Sequence, residues 1–515
     1  MRTPEELWTK WNNGIKREWK IAFFSALILG LCIHMPIMIS DIPNHDGLDS
    51  MYFNQNMITS GRWFLMVACG FSSYYSLPWF IGLLSMLFLA LTAVALTEFL
   101  ELQNRPVIVV TAGLLMTFPA LASTFAYVFT MDGYMLALLL AVLACLMTKK
   151  WKGGFVPGGL CLAFSLGTYQ AYLAFAMILC IYALAELAMS PGSGKEKFRT
   201  GCRYLYMGII GVVLYYGILQ VLLRIQGKEL ATYQGISGMA GGGESGILQR
   251  IVAMYRDFLA FTIKGNVFCN GFWGTVAVLV LVVVLAIAVI LLFLRNKWWK
   301  CPGFYGILLG LVVAVPLASN VLLLISPGVN YHLLMRYQWV LFLILPLAFV
   351  DKYMRKASLC WIRWMALGAA MVLVLHYGLT DNIAYSNLQK KYEKTYAYCL
   401  RLLDRIESTE GYYQGIPVAM VGVVGDEQFP TTDITGEVTS GMIGITGDSL
   451  LYTGTNYQAF IKHYLGATLN FVPNEQMGEI YYSEEYTRME SFPGDTSVQI
   501  VDGIMYVKTE NYNRE

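Results

Sequence analysis

The chain has 515 residues, 57% of them hydrophobic and only 14% charged, and its net charge is +2. A soluble domain carries about 25% charged residues, so a soluble globular protein is excluded. A charge balance this close to zero also argues against nucleic acid as a partner. Uncharged runs such as GTVAVLVLVVVLAIAVILLFL, from Gly274 to Leu294, are long enough to cross a bilayer. The predicted fold class is therefore an α-helical polytopic membrane protein.

In chain order, apolar windows place about eleven spans, at 21–40, 77–100, 106–125, 133–149, 154–168, 169–189, 204–223, 272–294, 303–325, 336–351 and 359–380. Lys and Arg between them are unevenly shared. Arg2, Lys10, Lys16, Arg17 and Lys20 precede the first span. Arg105, the Lys149/Lys150/Lys152 group, Lys195 to Arg203, Arg295 to Lys300 and Lys352 to Arg363 fall on that same side. The opposite short loops hold only Arg62 and Arg336. The excess of positive charge predicts a cytoplasmic N-terminus, and an odd number of spans puts the C-terminal region outside. Basic residues before the first apolar run, with no small-residue cleavage site after it, predict an uncleaved anchor.

This divides the chain into a transmembrane domain, 1–383, and an extracytoplasmic α/β domain, 384–515. The external loops of the first are 41–76, 123–134, 224–271 and 326–336. In the tail, NLQKKYEKTYAYCLRLLDRIEST has helical spacing, IPVAMVGVVG reads as a buried strand, QAFIKHYLGA as a short helix, and SVQIVDGIMYVKT as a hairpin around Asp502-Gly503. The Gly-rich ISGMAGGGESGILQRI follows no strand and lacks the GK[ST] of a phosphate-binding loop; a mobile segment over a site is expected there. The ten cysteines show no metal-ligand spacing, and most fall in apolar segments; Cys69 and Cys269, both expected outside, could pair.

Acids are scarce in this chain, yet NHDGLDSMYFNQNMITSGRW, from Asn44 to Trp63, holds two, with a His and an Arg, at the end of the first span. On a helix, Asp46 and Asp49 share a face, as do His45 and Asp49. Such a carboxylate could take a proton from an attacking hydroxyl; Asp46 or Asp49 could equally cap the helix. Arg62 offers a fork of donors for a phosphate, or anchors the interface beside Trp63. Asp132, in FTMDGYM, could be a second catalytic or metal-binding carboxylate, or a turn residue beside Gly133. Tyr169 and Gln170 could bind a sugar, or belong to an aromatic belt. Arg336, with His332 and Tyr331, is a second phosphate candidate, against ordinary snorkelling. No His/Cys cluster has transition-metal geometry; a divalent cation on Asp46, Asp49 and Asp132 is the remaining metal option, and spacing gives it no support.

The segments PNHDGLDSMYFNQNMITSGRWF, YVFTMDGYMLALLLAVLA, LGTYQAYLAFA and SFPGDTSVQIVDGIMYVK resemble the bacterial phage-type O-antigen glucosyltransferases, the glucosyl transferase type II family. The resemblance implies a GT-C type fold in the bacterial cytoplasmic membrane. It implies a polyprenyl-phosphate sugar donor, here undecaprenyl-phosphate glucose, and a surface polysaccharide or cell-wall acceptor. It also implies an acid in the first external loop as general base, a position that Asp46 matches. Family members have adjacent acids, whereas two residues separate Asp46 from Asp49 here. Asp132 and Arg336 match the family's later polar and basic positions more loosely. Rival readings are a transporter or flippase of lipid-linked sugars, a glycan polymerase or ligase, and a non-catalytic assembly factor. A transporter places polar groups at the bilayer midplane, whereas the acids here sit at span ends.

Overall fold

The computed structural model describes residues 3–49, 54–70, 77–231, 246–300, 302–326, 328–421, 436–439, 441–445, 450–451 and 453–509. The order begins with α1 (Pro4–Gly14), α2 (Arg17–Ile39), α3 (His45–Asp49), α4 (Leu65–Ala68), α5 (Pro78–Leu100), α6 (Arg105–Thr117), α7 (Ala120–Phe125) and α8 (Met131–Lys150). It continues with α9 (Phe155–Thr168), α10 (Tyr172–Met189), α11 (Gly194–Gln226), α12 (Ile247–Lys264), α13 (Gly271–Arg295), α14 (Pro302–Ser319), α15 (Val321–Ile325), α16 (Leu341–Tyr353) and α17 (Cys360–Ser408).

Each of the eleven predicted windows falls on helix, but not all on one long helix. Among the described residues seven helices are long and apolar enough to cross a membrane, and three more apolar helices are shorter. The window 106–125 breaks at Phe118-Pro119 into α6 and α7, and 303–325 breaks at Asn320 into α14 and α15. A helix of 13 residues, such as α6, rises only about 20 Å, less than the roughly 30 Å of a hydrocarbon core. Part of the expected outer loop 224–271 is also helical, since α12 occupies 18 of its residues. The Gly-rich stretch before α12 lies, but for its last residues, outside the described residues.

α2 packs on α5, α5 on α8, α8 on α9 and α9 on α11; α17 lies against α13, α6 and α16. Small residues permit the closest approaches, as expected where lipid supplies no hydrophobic drive. A Cβ on Gly159 would stand 2.6 Å from Ile210 of α11. At one end of the bundle an ion-pair network joins the helix termini. Glu98 receives Lys16 at 2.8 Å and Lys150 at 2.9 Å, Glu186 receives Lys149 at 2.9 Å and Lys352 at 2.8 Å, and Lys352 also reaches Glu101 at 3.0 Å. The start of α2 and the ends of α5, α8, α10 and α16 therefore meet at one level, as strict up-and-down alternation requires.

α17 is a single helix of 49 residues that runs through residue 383 without a break and carries the chain into the C-terminal unit. There β1 (Pro417–Val421), β2 (Asn470–Phe471), β3 (Val498–Val501) and β4 (Ile504–Lys508) form a sheet of order β2-β1-β4-β3. β1 is parallel to β2 and β4, and β3 is antiparallel to β4. The predicted hairpin is present, with Asp502 at φ 49° and Gly503 at φ 80°, the doubly positive turn that suits the twist of paired strands. Among the described residues the unit also has four short α-helices, α18 (Gly436–Thr439), α19 (Gly454–Phe460), α20 (Asn474–Tyr481) and α21 (Glu484–Arg488). Cys69 and Cys269 form no disulfide with each other, and no other cysteine among the described residues is in a disulfide.

Candidate active site

At the end of the bundle opposite the ion-pair network, α2 stops at Ile39 and the chain runs extended through Ser40. Asn44 caps α3: its side-chain oxygen accepts from the Asp46 amide at 2.9 Å. The capping reading of Asp46 is thereby answered, because another residue fills that position. The Asp46 side chain is 57% exposed, and His45 Nε2 lies 3.5 Å from its Oδ1. The His45 ring meets Tyr127 edge-on at 6.2 Å. Asp49 ends α3; its side chain lies outside the described residues.

Two openings near this helix share Asp41 and Pro78. One is a groove of about 480 Å³ lined by Met38, Ile39, Leu77, Trp79 and Phe80. Ile39 is 65% exposed and Trp79 49%, so the groove faces where lipid chains would lie. The other is a cleft of about 30 Å³ between Ser40, Asn44, Gly47, Phe129 and Tyr464. Partial burial raises the Asp41 carboxyl above the usual carboxylate range, and the Tyr464 hydroxyl beside it opposes that shift. Asp41 is the residue that sequence reading passed over, because a single polar residue at a span end carries no pattern.

Arg62 ends a tight turn closed by a bridge to Met57, with Gly61 at φ 75°. Its Nη1 donates to the Tyr134 hydroxyl at 3.0 Å, and its guanidinium stands 5.3 Å over the Tyr169 ring. Tyr134 and Tyr169 stack at 4.1 Å. Tyr134 feels the charge of Arg62 and, more weakly, that of Asp46. Tyr169 is only 2% exposed, so it supports Arg62 from below. Gln170 donates to the Ser60 carbonyl at 3.1 Å and the Tyr215 hydroxyl at 3.2 Å; its amide ties the Arg62 turn to α11. Asp132 is buried in the first turn of α8, accepts from the Gly133 amide at 2.9 Å and faces the Cys69 thiol. It lies behind the cluster.

Arg336 stands elsewhere. Nη1 and Nη2 donate to the two oxygens of Asp257 on α12 at 2.6 and 2.9 Å, and Nε donates to the Tyr331 carbonyl at 3.0 Å. The guanidinium is also stacked 3.9 Å over Tyr331 and 4.4 Å over Phe261. All its nitrogens are engaged inside the protein, so little of it is left for a phosphate. Burial, then the charge of Arg336, lowers His332 below the usual histidine range. Asp257, on an amphipathic helix where a loop was expected, was also missed. Among the described residues no three His, Cys, Asp or Glu side chains gather to hold a metal.

The C-terminal unit reaches this end too. α19 packs on α3, and Asn456 Nδ2 donates to the His45 carbonyl at 3.2 Å. Ser123 donates to the Ile443 carbonyl at 3.1 Å, and Lys391 to that of Ile445 at 2.7 Å. Fold and site together define a multi-pass helical membrane protein with an acid-bearing cluster at one end of its bundle.

The model of one family, Glucosyl transferase GtrII, matches residues 35–347, more than half of the chain, and the chain belongs to that family. It is a membrane glycosyltransferase. The matched region includes α3, Arg62, Asp132 and Arg336 but stops before α17 and the C-terminal unit. No curated protein and no solved structure gives a significant match.

Proposed function

We propose that the protein moves glucose from a polyprenyl-phosphate donor to a surface glycan or cell-wall polymer on the outer face of the bacterial cytoplasmic membrane. The observation that carries this reading is the Asp46 carboxylate, open to solvent and released from capping, on the short helix that follows the first span. The Lys- and Arg-rich end of the bundle would be cytoplasmic. The eleven apolar windows would then form a GT-C type domain with the C-terminal unit outside.

In this reading Asp46 takes the proton of the acceptor hydroxyl as the oxygen attacks the anomeric carbon. The bond from that carbon to the phosphate oxygen breaks, and the phosphate leaves with the electron pair, inverting the centre in one displacement. Arg62, held over Tyr169, supplies positive charge for the departing phosphate. His45 adjoins the base, and Asn44 and Asn456 hold the helix that carries it. Asp132 is a positioning residue beneath the Arg62 cluster.

The test is transfer from polyprenyl-phosphate glucose by the full chain in nanodiscs. Asp46→Asn should lower turnover at least about 10²-fold with folding unchanged, as loss of a general base does. Turnover equal to wild type would remove Asp46 from the mechanism. Wild-type protein that moves the intact lipid-linked sugar across a bilayer, without transfer, would support the flippase instead.

A further inference from the structure

The groove and the cleft beside α3 share two residues, Asp41 and Pro78, and of these Asp41 alone carries a polar side chain. The walls on the groove side are Met38, Ile39, Leu77, Trp79 and Phe80. These suit an isoprenoid chain, which is apolar and unbranched by polar groups. Asp46 follows five residues along the chain, on α3, with its side chain 57% exposed. A donor with its lipid in the groove meets one ionisable side chain there, Asp41, and through it the cleft that Asn44 and Gly47 line.

The volumes decide on which side of Asp41 the ring rests. The cleft beneath Tyr464 offers about 30 Å³, the share of a single water. The groove offers about 480 Å³, ample for a pyranose and the first isoprene units. A carboxylate carries about four acceptor sites on two oxygens and can take two neighbouring sugar hydroxyls at once. Tyr464, on the other side, closes the cleft and leaves only the groove face of Asp41 for a ligand.

We propose that Asp41 binds the hydroxyls of the donor's hexose at the polar mouth of this groove and so selects the sugar. The proposal rests on the functional reading above and adds a specificity-determining residue to it. Asp46 acts on the acceptor's proton, and Asp41 holds the ring that is transferred.

The experiment compares wild type, Asp41→Asn and Asp41→Glu in nanodiscs. The KM for polyprenyl-phosphate glucose is measured beside the inhibition constant of sugar-free polyprenyl phosphate. Asp41→Asn should raise the donor KM about 10- to 100-fold, the worth of a hydrogen bond to a charged group. The inhibition constant of the sugar-free lipid should stay within about twofold of wild type, since that lipid has no hydroxyls for Asp41 to hold. Asp41→Glu keeps the charge and moves it by one methylene; it should shift the donor KM alone, and it decides the matter if the Asn variant misfolds. Equal loss for both lipids would make Asp41 a wall of the groove, and no change in either would remove it from the site. Both results leave the glucosyltransferase reading standing. Wild-type protein that cannot use polyprenyl-phosphate glucose would instead overturn that reading and this proposal together.

Discussion

Removing Asp257 should cost more than removing Arg336, although the two form one ion pair. Arg336 keeps only 7% of its side chain exposed, whereas Asp257 keeps 28%. Asp257→Asn leaves a guanidinium buried with no counter-charge; breaking a buried pair in this way costs about 3–5 kcal/mol. Water at Asp257 screens part of the attraction, and the rings of Tyr331 and Phe261 still hold the cation, so about 2–3 kcal/mol is expected here. Arg336→Met removes the buried charge itself and leaves an aspartate that can turn to solvent; about 1–2 kcal/mol is expected, mainly lost ring stacking. Thermal or denaturant unfolding in detergent measures the order, and the double variant should lose less than the two single losses added. Donor KM in the folded fraction should be unchanged in both. An Arg336→Met variant less stable than Asp257→Asn would refute the reasoning. So would a donor KM that rises on losing Arg336 but not Asp257, for then the guanidinium would serve the phosphate after all.

Asn44→Ala removes the cap that leaves Asp46 free. It should cost about 1 kcal/mol and lower turnover more than donor affinity, whereas Asn44→Ser should restore most of both in the same assays. His332 gives a pH dependence with a definite sign. Burial and Arg336 weaken its proton binding in the folded state, so the unfolded chain gains that proton first as pH falls. Stability should therefore drop as pH falls through about 6.5, the ordinary histidine value, and His332→Gln should flatten that part of the profile. A stability curve with the same slope in both proteins would show that His332 is not the group responsible.

What the sequence revealed and what it hid follow one physical line. Uninterrupted apolar runs predict helices, because each backbone group in lipid must be satisfied within its own segment; all eleven windows are helical. The hairpin at Asp502-Gly503 was readable because only certain residues accept its positive φ angles. Pairings across long separations left no local trace. Arg336 meets Asp257 across 79 positions and Arg62 meets Tyr134 across 72, and neither partner is marked by its neighbours. The composition change near residue 384 was real, but composition and helical period are independent, so α17 continued through it. Asp381, just past the predicted end of the last span, is wholly buried on α17, and neither carboxylate oxygen has a partner among the described residues. Nothing in the flanking residues signals that burial.

The two ends of the bundle carry charge to different effect. At the network end Glu98, Glu101 and Glu186 each meet at least one lysine within 3.0 Å. Their charge holds five helix ends together and has little left to offer a ligand. At the other end Arg336 is engaged by Asp257, Gln170 by Ser60 and Tyr215, and Asp132 by Gly133 and Cys69. Asp46 differs from all of these: 57% exposed, with His45 at 3.5 Å. An ionised group beside a low-dielectric wall gains stability from a partner. With His45 Nε2 beside it, on a helix held by Asn44 and Asn456, the Asp46 carboxylate stays open to solvent. Which acids meet solvent, as Asp46 does, and which are buried, as Asp381 is, is a property of the assembled bundle rather than of any one stretch of chain.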